Sequence, residues 1–254
     1  MILAIDIGNT NIVTGCVEGK EILFRERLST AHRATRLEYS ALFKTAFDMY
    51  GVNAKNIEGA IISSVVPSVT NTVKEAIEKL CDIKVMVVGP GIKTGVSIVI
   101  DNPAQLGSDL AVDAVASLAE YSVPQIVVDM GTATTISAIN KDRQFIGGAI
   151  LPGVAVSHDA LITRTSQLPK IAFEKPKKII GSNTVDSIKS GILYGNAGAI
   201  DGIIERFEEE LGEKCTVIAT GGLAKVIVPL CKKEIIVDED LLLKGLMIIY
   251  DRNK

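Results

Sequence analysis

The alternation of short apolar stretches with polar turns along the chain predicts an α/β protein. Five stretches, at positions 2–7, 12–17, 21–27, 60–65 and 84–88, have the length and composition of β-strands. Apolar residues recur at helical spacing around positions 37–50 and again after Pro67. The first half of the chain is therefore predicted to contain three strands followed by alternating helices and strands.

The same order of elements begins again in the second half. Strands are predicted at positions 125–130, 135–139, 145–150 and 216–219, and a terminal helix at 241–250 completes this half. Two successive units with one order of elements imply a duplicated fold. We expect an N-terminal domain at 1–121 and a C-terminal domain at 122–254, since a chain of 254 residues has room for two domains of modest size.

An acidic turn follows the first strand of each half. The turns read Asp6-Ile-Gly-Asn-Thr10 and Asp129-Met-Gly-Thr132. Glycine lets a ligand approach the backbone closely, so amide and hydroxyl groups here can contact phosphate oxygens, while the aspartate can hold a cation against them. One such turn is typical of an ordinary hairpin. Two at matching positions favour a site that clamps a nucleoside triphosphate, with Gly221-Gly222 against its adenine or ribose.

Asp109 is the candidate for proton transfer. Apolar residues after it recur at helical spacing, which puts Asp109 in the first turn of a helix. A carboxylate there can simply complement the helix dipole, or it can accept the proton of an attacking alcohol. Asp113 lies four residues on, on the same face, and either raises the pKa of its neighbour or belongs to one solvated edge. His158 is predicted to be a surface histidine.

Charge and cysteine content narrow the class of protein. The net charge of −3 indicates neither a nucleic-acid nor a membrane partner. No stretch approaches the roughly 20 apolar residues that cross a bilayer, and Asp6 comes too early for a signal peptide. The four scattered cysteines are typical of reduced thiols. We therefore expect a cytoplasmic enzyme that acts on a small molecule.

These residues resemble the type III pantothenate kinase family along nearly the whole chain. The matching motifs are Asp6-Ile-Gly-Asn-Thr-Asn11, Ser63-Ser-Val-Val-Pro67, Gly89-Pro-Gly-Ile-Lys-Thr-Gly95, Asp101-Asn-Pro103, Gly107-Ser-Asp109, Asp129-Met-Gly-Thr-Ala-Thr-Thr135, Gly147-Gly-Ala-Ile-Leu-Pro-Gly153, Thr184-Val-Asp-Ser-Ile-Lys-Ser-Gly191 and Ala219-Thr-Gly-Gly-Leu223. The resemblance implies two duplicated actin-like (ribonuclease H-like) domains with a nucleotide cleft between them. It also implies a homodimer that phosphorylates pantothenate with ATP in the first step of coenzyme A synthesis, assisted by Mg²⁺ and by K⁺ or NH₄⁺.

The resemblance also implies a role for each matching residue. Asp109 would accept the proton, Asp129 would bind K⁺, and Thr132 would contact a phosphate. The ATP phosphate loop would consist of Asp6, Ile7, Gly8, Asn9, Thr10, Asn11, Ile12 and Val13. The acceptor pocket would be lined by Ile100, Gly107, Ser108, Asp109, Leu110 and Thr184.

This chain departs from the family pattern at the acceptor site. Leu110 occupies the position of an arginine, Ile100 that of a tyrosine, and Asp113 that of an asparagine. An arginine that binds a carboxylate in a bidentate pair cannot be replaced by leucine without loss of affinity. Three hypotheses follow: a pantothenate kinase that binds the carboxylate with another group, a kinase for a less acidic alcohol, or a nucleotide-binding regulatory paralogue with weak or no kinase activity.

Overall fold

The computed structural model of the protein describes residues 1–19 and 21–254, which form an α/β fold. The described strands are β1 (Ile2–Ile7), β2 (Asn11–Glu18), β3 (Glu21–Ser29), β4 (Gly59–Ser64), β5 (Val85–Val87), β6 (Ser97–Ile98), β7 (Gln125–Met130), β8 (Ala133–Ile139), β9 (Gln144–Pro152), β10 (Thr216–Thr220) and β11 (Ile236–Val237). The described α-helices are α1 (Arg36–Met49), α2 (Pro67–Cys81), α3 (Ser108–Glu120), α4 (Val154–Thr163), α5 (Thr184–Leu211), α6 (Ala224–Ile227) and α7 (Leu241–Asn253). All four cysteines are free thiols. Across the described residues, none of the helices has the length and hydropathy needed to span a membrane.

The chain divides into two compact units. The first comprises Met1–Gly95, Ala104–Ala116 and Leu241–Lys254, and the second comprises Val96–Pro103 and Ser117–Asp240. The predicted boundary near position 121 stays a prediction.

The sheet of the first unit has the strand order β3-β2-β1-β4-β5. Strand β1 is antiparallel to β2 and parallel to β4. Helices α1 and α2 cover the sheet through buried aromatic and aliphatic side chains, among them Tyr39, Phe43 and Phe47. Helix α1 starts at a capping box in which Thr35 and Glu38 satisfy each other's backbone N–H groups. The carboxyl ends of the parallel strands β1 and β4 therefore lie at one edge of a well-packed sheet.

Helix α7 packs on the sheet of the first unit, whereas the sequence pattern assigned it to the second half. Three glycines permit the close approach. A side-chain carbon on Gly15 or Gly59 would overlap Leu243 or Tyr250 of the helix, and one on Gly245 would overlap the carbonyl of Val112 in α3. The sequence pattern does not reveal this packing, because an apolar helix face shows that a helix is buried but not which sheet it covers.

The sheet of the second unit repeats the topology of the first. Its order is β11-β10-β7-β8-β9-β6, in which β7 is antiparallel to β8 and parallel to β10. Each sheet also has a register shift between its second and third strands, at Cys16/Val17 and at Ala138/Ile139. Strand β6 is the one addition, paired with the outer edge of β9. The predicted duplication is confirmed.

Candidate active site

The turn after β1 is held rigidly and faces solvent. The amide of Gly8 donates to the carbonyl of Asn11 at 2.9 Å. Thr30, at the end of β3, donates its hydroxyl to the carbonyl of Gly8 at 2.6 Å and its amide to the carbonyl of Thr10 at 2.9 Å. The side chains of Asn9 and Thr10 are exposed. The turn is therefore a fixed, accessible polar surface, and Thr30 is a supporting residue that sequence reasoning missed.

The other residues predicted for this loop lie on the two strands that it joins. Asp6 is half-buried near the end of β1, directly opposite Val13 of β2. Ile7 and Ile12 face each other in the same ladder and are buried in the core, so their side chains anchor the strands. Asn11, the first residue of β2, is half-buried.

Asp109 lies in the first turn of α3, as predicted. The carbonyl of Gly107 accepts the first helical hydrogen bond, from the amide of Ala111, at 3.2 Å. The amide of Leu110 donates to Oδ1 of Asp109 at 2.9 Å. Burial raises the pKa of the Asp109 carboxyl, and it outweighs the backbone amides of Leu110 and Asp109 itself, which lower it. A carboxylate with a raised pKa is a better proton acceptor than an ordinary aspartate.

Ser108 attaches the start of α3 to the end of β4. Its Oγ lies 3.1 Å from Oγ of Ser63, accepts from the amide of Ser64 at 3.1 Å, and donates to the carbonyl of Ser64 at 3.0 Å. Ser63 is the residue opposite Asp6 in the parallel pair of β1 and β4. Asp109 is thus held at the edge of the first sheet where the acidic turn begins.

Asp113 differs from Asp109 in its environment. Its side chain is only 2% exposed, whereas that of Asp109 is half-buried. The hypothesis that the two carboxylates form one solvated edge is therefore wrong. The helical spacing placed both residues on one face, but it did not indicate how deeply that face is buried.

The turn after β7 is one residue shorter than the first, but its glycine likewise bonds to the first residue of the next strand. The amide of Gly131 donates to the carbonyl of Ala133 at 3.0 Å, and the amide of Gly153 donates to the carbonyl of Thr132 at 3.1 Å. Gly221 has a φ of +92°, and a side-chain carbon there would lie 2.6 Å from Oδ1 of Asp129. This glycine lets the backbone after β10 lie directly against the aspartate.

Two buried hydroxyl groups lie on β8, but only that of Thr135 is on the sheet face of Asp129, because neighbouring residues of a strand point to opposite faces. Thr135 pairs with Asp129 across β7 and β8, and Thr134 is the preceding residue. Within the described part of the chain, Oγ1 of each threonine is buried without a hydrogen-bond partner. A buried hydroxyl normally has a partner, and oxygen ligands are those that hard cations prefer. The residues present therefore fit a cation bound beside Asp129.

Thr184 starts the long helix α5 and lines a cavity of the second unit. Oδ1 of Asn183 accepts from the amide of Asp186 at 2.9 Å and so caps the helix. The cavity has a volume of about 760 Å³, and its lining includes Thr184, Ser187 and Leu161. Of the other predicted acceptor residues, Ile100 follows β6 in the second unit, whereas Leu110 belongs to the first.

His158 lies in the interior, so its prediction as a surface histidine is wrong. It is 4% exposed, its Nε2 accepts from the amide of Ile171 at 3.3 Å, and its ring packs edge-on against Phe173. The histidine thus ties helix α4 to the segment that precedes α5. Its apolar neighbours in sequence offered a weak signal of burial.

Solved structures define the class of fold. A candidate 2-dehydro-3-deoxygalactonokinase from Sinorhizobium meliloti superposes with a TM-score of 0.61 at 9% identity, covering 100% of this chain and 97% of its own. A candidate Baf family transcriptional activator from Campylobacter jejuni superposes with a TM-score of 0.60 at 18% identity, covering 99% and 98%. The protein has the fold of the actin-like ATPases and sugar kinases.

Sequence comparison identifies the family within that class. Residues 2–206 match the family model for type III pantothenate kinase. The type III pantothenate kinases of Halalkalibacterium halodurans and Brevibacillus brevis are 43% and 44% identical to this chain, each with complete coverage of both sequences. The chain belongs to the type III pantothenate kinase family, as its motifs predicted.

Proposed function

We propose that the protein transfers the γ-phosphoryl group of ATP to the primary alcohol of pantothenate, yielding ADP and 4'-phosphopantothenate at the start of coenzyme A biosynthesis. Family membership supports the reaction. The observation that carries it in this chain is Asp109, a half-buried carboxyl of raised pKa at the sheet edge where the acidic turn of Asp6 begins.

Asp109 acts as the general base in this mechanism. Its carboxylate accepts the proton of the pantothenate hydroxyl while that oxygen bonds to the γ-phosphorus and the bond from phosphorus to the ADP oxygen breaks. Gly107 and Leu110 flank the base. The exposed turn at Asn9 and Thr10 would contact phosphate oxygens, as would the turn at Thr132.

Two cations would assist the reaction. Mg²⁺ would be held near Asp6 of the first unit, and K⁺ or NH₄⁺ near Asp129 of the second unit, where the hydroxyl of Thr135 would provide an oxygen ligand. When bound, these ions neutralise the charge of the phosphates and orient them. We further propose that the enzyme works as a homodimer, as the family resemblance implies, and that it is cytoplasmic, as its scattered cysteines suggest.

Leu110 supports a second candidate, a kinase for an uncharged alcohol. Without the family's arginine, the chain has no guanidinium at position 110 to bind the carboxylate of pantothenate. A regulatory role is a third candidate, since a transcriptional activator shares the fold at 18% identity. A regulator that only binds nucleotide would have no use for a base of raised pKa.

An acceptor screen separates the candidates. Purified protein with Mg-ATP, with and without K⁺, is offered pantothenate, pantetheine or simple polyols, and phosphorylated products are identified by mass spectrometry. We expect phosphopantothenate as the main product and a loss of kcat of about 10²- to 10⁴-fold in Asp109→Asn, with ATP binding kept. Asp82→Asn, on the exposed surface of the same unit, is the matched control. Full turnover in Asp109→Asn would exclude this residue as the base.

A further inference from the structure

A cluster of hydroxyl groups connects the base to the first sheet. Ser108 contacts Ser63 and Ser64, as described above, and Ser64 makes further hydrogen bonds of its own. Oγ of Ser64 accepts from the hydroxyl of Thr70 at 2.7 Å and from the amide of Val66 at 3.1 Å. The cluster therefore joins the end of β4, the first turn of α2 and the first turn of α3.

The hydrogen-bonding capacity of Ser108 is fully used inside the protein. A serine hydroxyl has one hydrogen to donate and two lone pairs to accept with. The hydroxyl of Ser108 donates to the carbonyl of Ser64 and accepts from the amide of Ser64. The hydroxyl of Ser63 donates to the remaining lone pair of Ser108. No capacity is left for a substrate, although the family resemblance implies that Ser108 lines the acceptor pocket.

The position of Asp109 depends on this anchorage. Asp109 is the next residue of the same helical turn, and its carboxylate is held over that turn by the amide of Leu110. Any displacement of Ser108 from β4 therefore carries the carboxylate with it. Because Ser63 pairs with Asp6, the same displacement moves the base relative to the acidic turn.

We infer that Ser108 is a positioning residue, which sets the carboxylate of Asp109 relative to the turn of Asp6 through its bonds to Ser63 and Ser64. The inference rests on the proposed kinase function, since it assigns a task within that site. A misplacement of about 1 Å in a reacting group can cost on the order of 10²-fold in rate. A lost positioning contact lowers kcat, whereas a lost substrate contact raises KM.

Steady-state kinetics test the inference in two variants. We expect Ser108→Ala to lower kcat for pantothenate by about 10- to 100-fold, with KM changed less than about twofold. Ser63→Ala removes only one of the three bonds of Ser108, so a smaller fall in kcat is expected. If Ser108→Ala does not fold, the kinetics of Ser63→Ala test the inference. Ser40→Ala, whose hydroxyl bonds Ala76 in the same unit, is the control. An increase in KM with unchanged kcat in both variants would overturn the inference.

A second measurement needs no acceptor and so separates this inference from the proposed function. The Asp109 carboxyl is titrated by ¹³C NMR in labelled protein, with Asp109→Asn to assign its resonance. The raised pKa depends on the buried position of the carboxyl, so Ser108→Ala should move the pKa toward its ordinary value. An unaltered titration would overturn the positioning role even if pantothenate proved not to be the acceptor.

Discussion

Gly107 lies so close to Asp109 that the first side-chain carbon of any other residue would overlap Oδ1 of the carboxylate. The glycine is needed for space and not for its backbone conformation, because its φ lies outside the left-handed region. The carboxylate of Asp109 occupies the space in which a side chain at position 107 would lie.

Gly107→Ala should therefore displace the base without unfolding the protein. The methyl group pushes the carboxylate off its bond to Leu110, and we expect kcat to fall by about 10- to 100-fold while ATP affinity is kept. Single-turnover kinetics and nucleotide titration measure the two effects. Gly198→Ala, a glycine of α5 with open space around it, is the control. Wild-type turnover in Gly107→Ala would show that the carboxylate has room to move without consequence.

Asp109→Asn should make the protein more stable at neutral pH. The folded state raises the pKa of this carboxyl mainly through burial. The fold thus favours the protonated form, so the contribution of Asp109 to stability is full below its unfolded pKa and is lost as the pH rises through its folded pKa. At neutral pH the buried charge destabilises the enzyme, and asparagine removes that charge.

Thermal unfolding across a pH series tests this linkage. The midpoint temperature of Asp109→Asn should exceed that of the wild type at pH 7, and the difference should shrink as the pH falls. Asp142→Asn, at an exposed turn position, should track the wild type throughout. A variant that is less stable than the wild type at neutral pH would contradict the burial argument.

Leu110→Arg should improve recognition of a carboxylate. A guanidinium can bind a carboxylate in a bidentate pair, which leucine cannot. We expect kcat/KM for pantothenate to rise by at least about tenfold while that for uncharged pantetheine is unchanged, since a charged pair contributes roughly 1.5 to 3 kcal/mol. Leu110→Gln provides a polar control without the charge. Equal changes for both acceptors would mean that position 110 does not contact the carboxylate.

The sequence predicted the parts of the site that depend on local order. The alternation of apolar residues recurs in each half, and each half has one acidic turn, so the duplicated sheets and the positions of Asp6 and Asp129 follow from a short window of residues. Asp109 was likewise assigned to a first helical turn from the spacing after it.

Other features depend on contacts between distant parts of the chain. Ser108 bonds to residues 44 and 45 positions away, and α7 crosses back to the first sheet. Neither contact has a signature in residue spacing. Strand β6 has only two residues, too few to show a period.

Thr135→Val should stabilise the protein without ligands but weaken the binding of a cation beside Asp129. The hydroxyl of Thr135 is buried without a partner in the described residues, and replacing it with a methyl group of similar shape removes an unsatisfied polar group. The variant should therefore be more stable without ligands, by about 1 to 3 kcal/mol. If the same hydroxyl helps Asp129 to hold a cation, the K⁺ concentration for half-maximal activity should rise several-fold.

Thr14→Val is the matched control for that prediction. Oγ1 of Thr14 is also buried without a partner in the described chain, but Thr14 pairs with Ile5 in the first sheet and does not belong to the strand pair that carries Asp129. Chemical denaturation should show the same gain in stability for Thr14→Val, whereas its K⁺ dependence should match the wild type. If both variants gain stability and neither alters the K⁺ dependence, the hydroxyl of Thr135 is only an unsatisfied buried polar group, and the cation is bound without it.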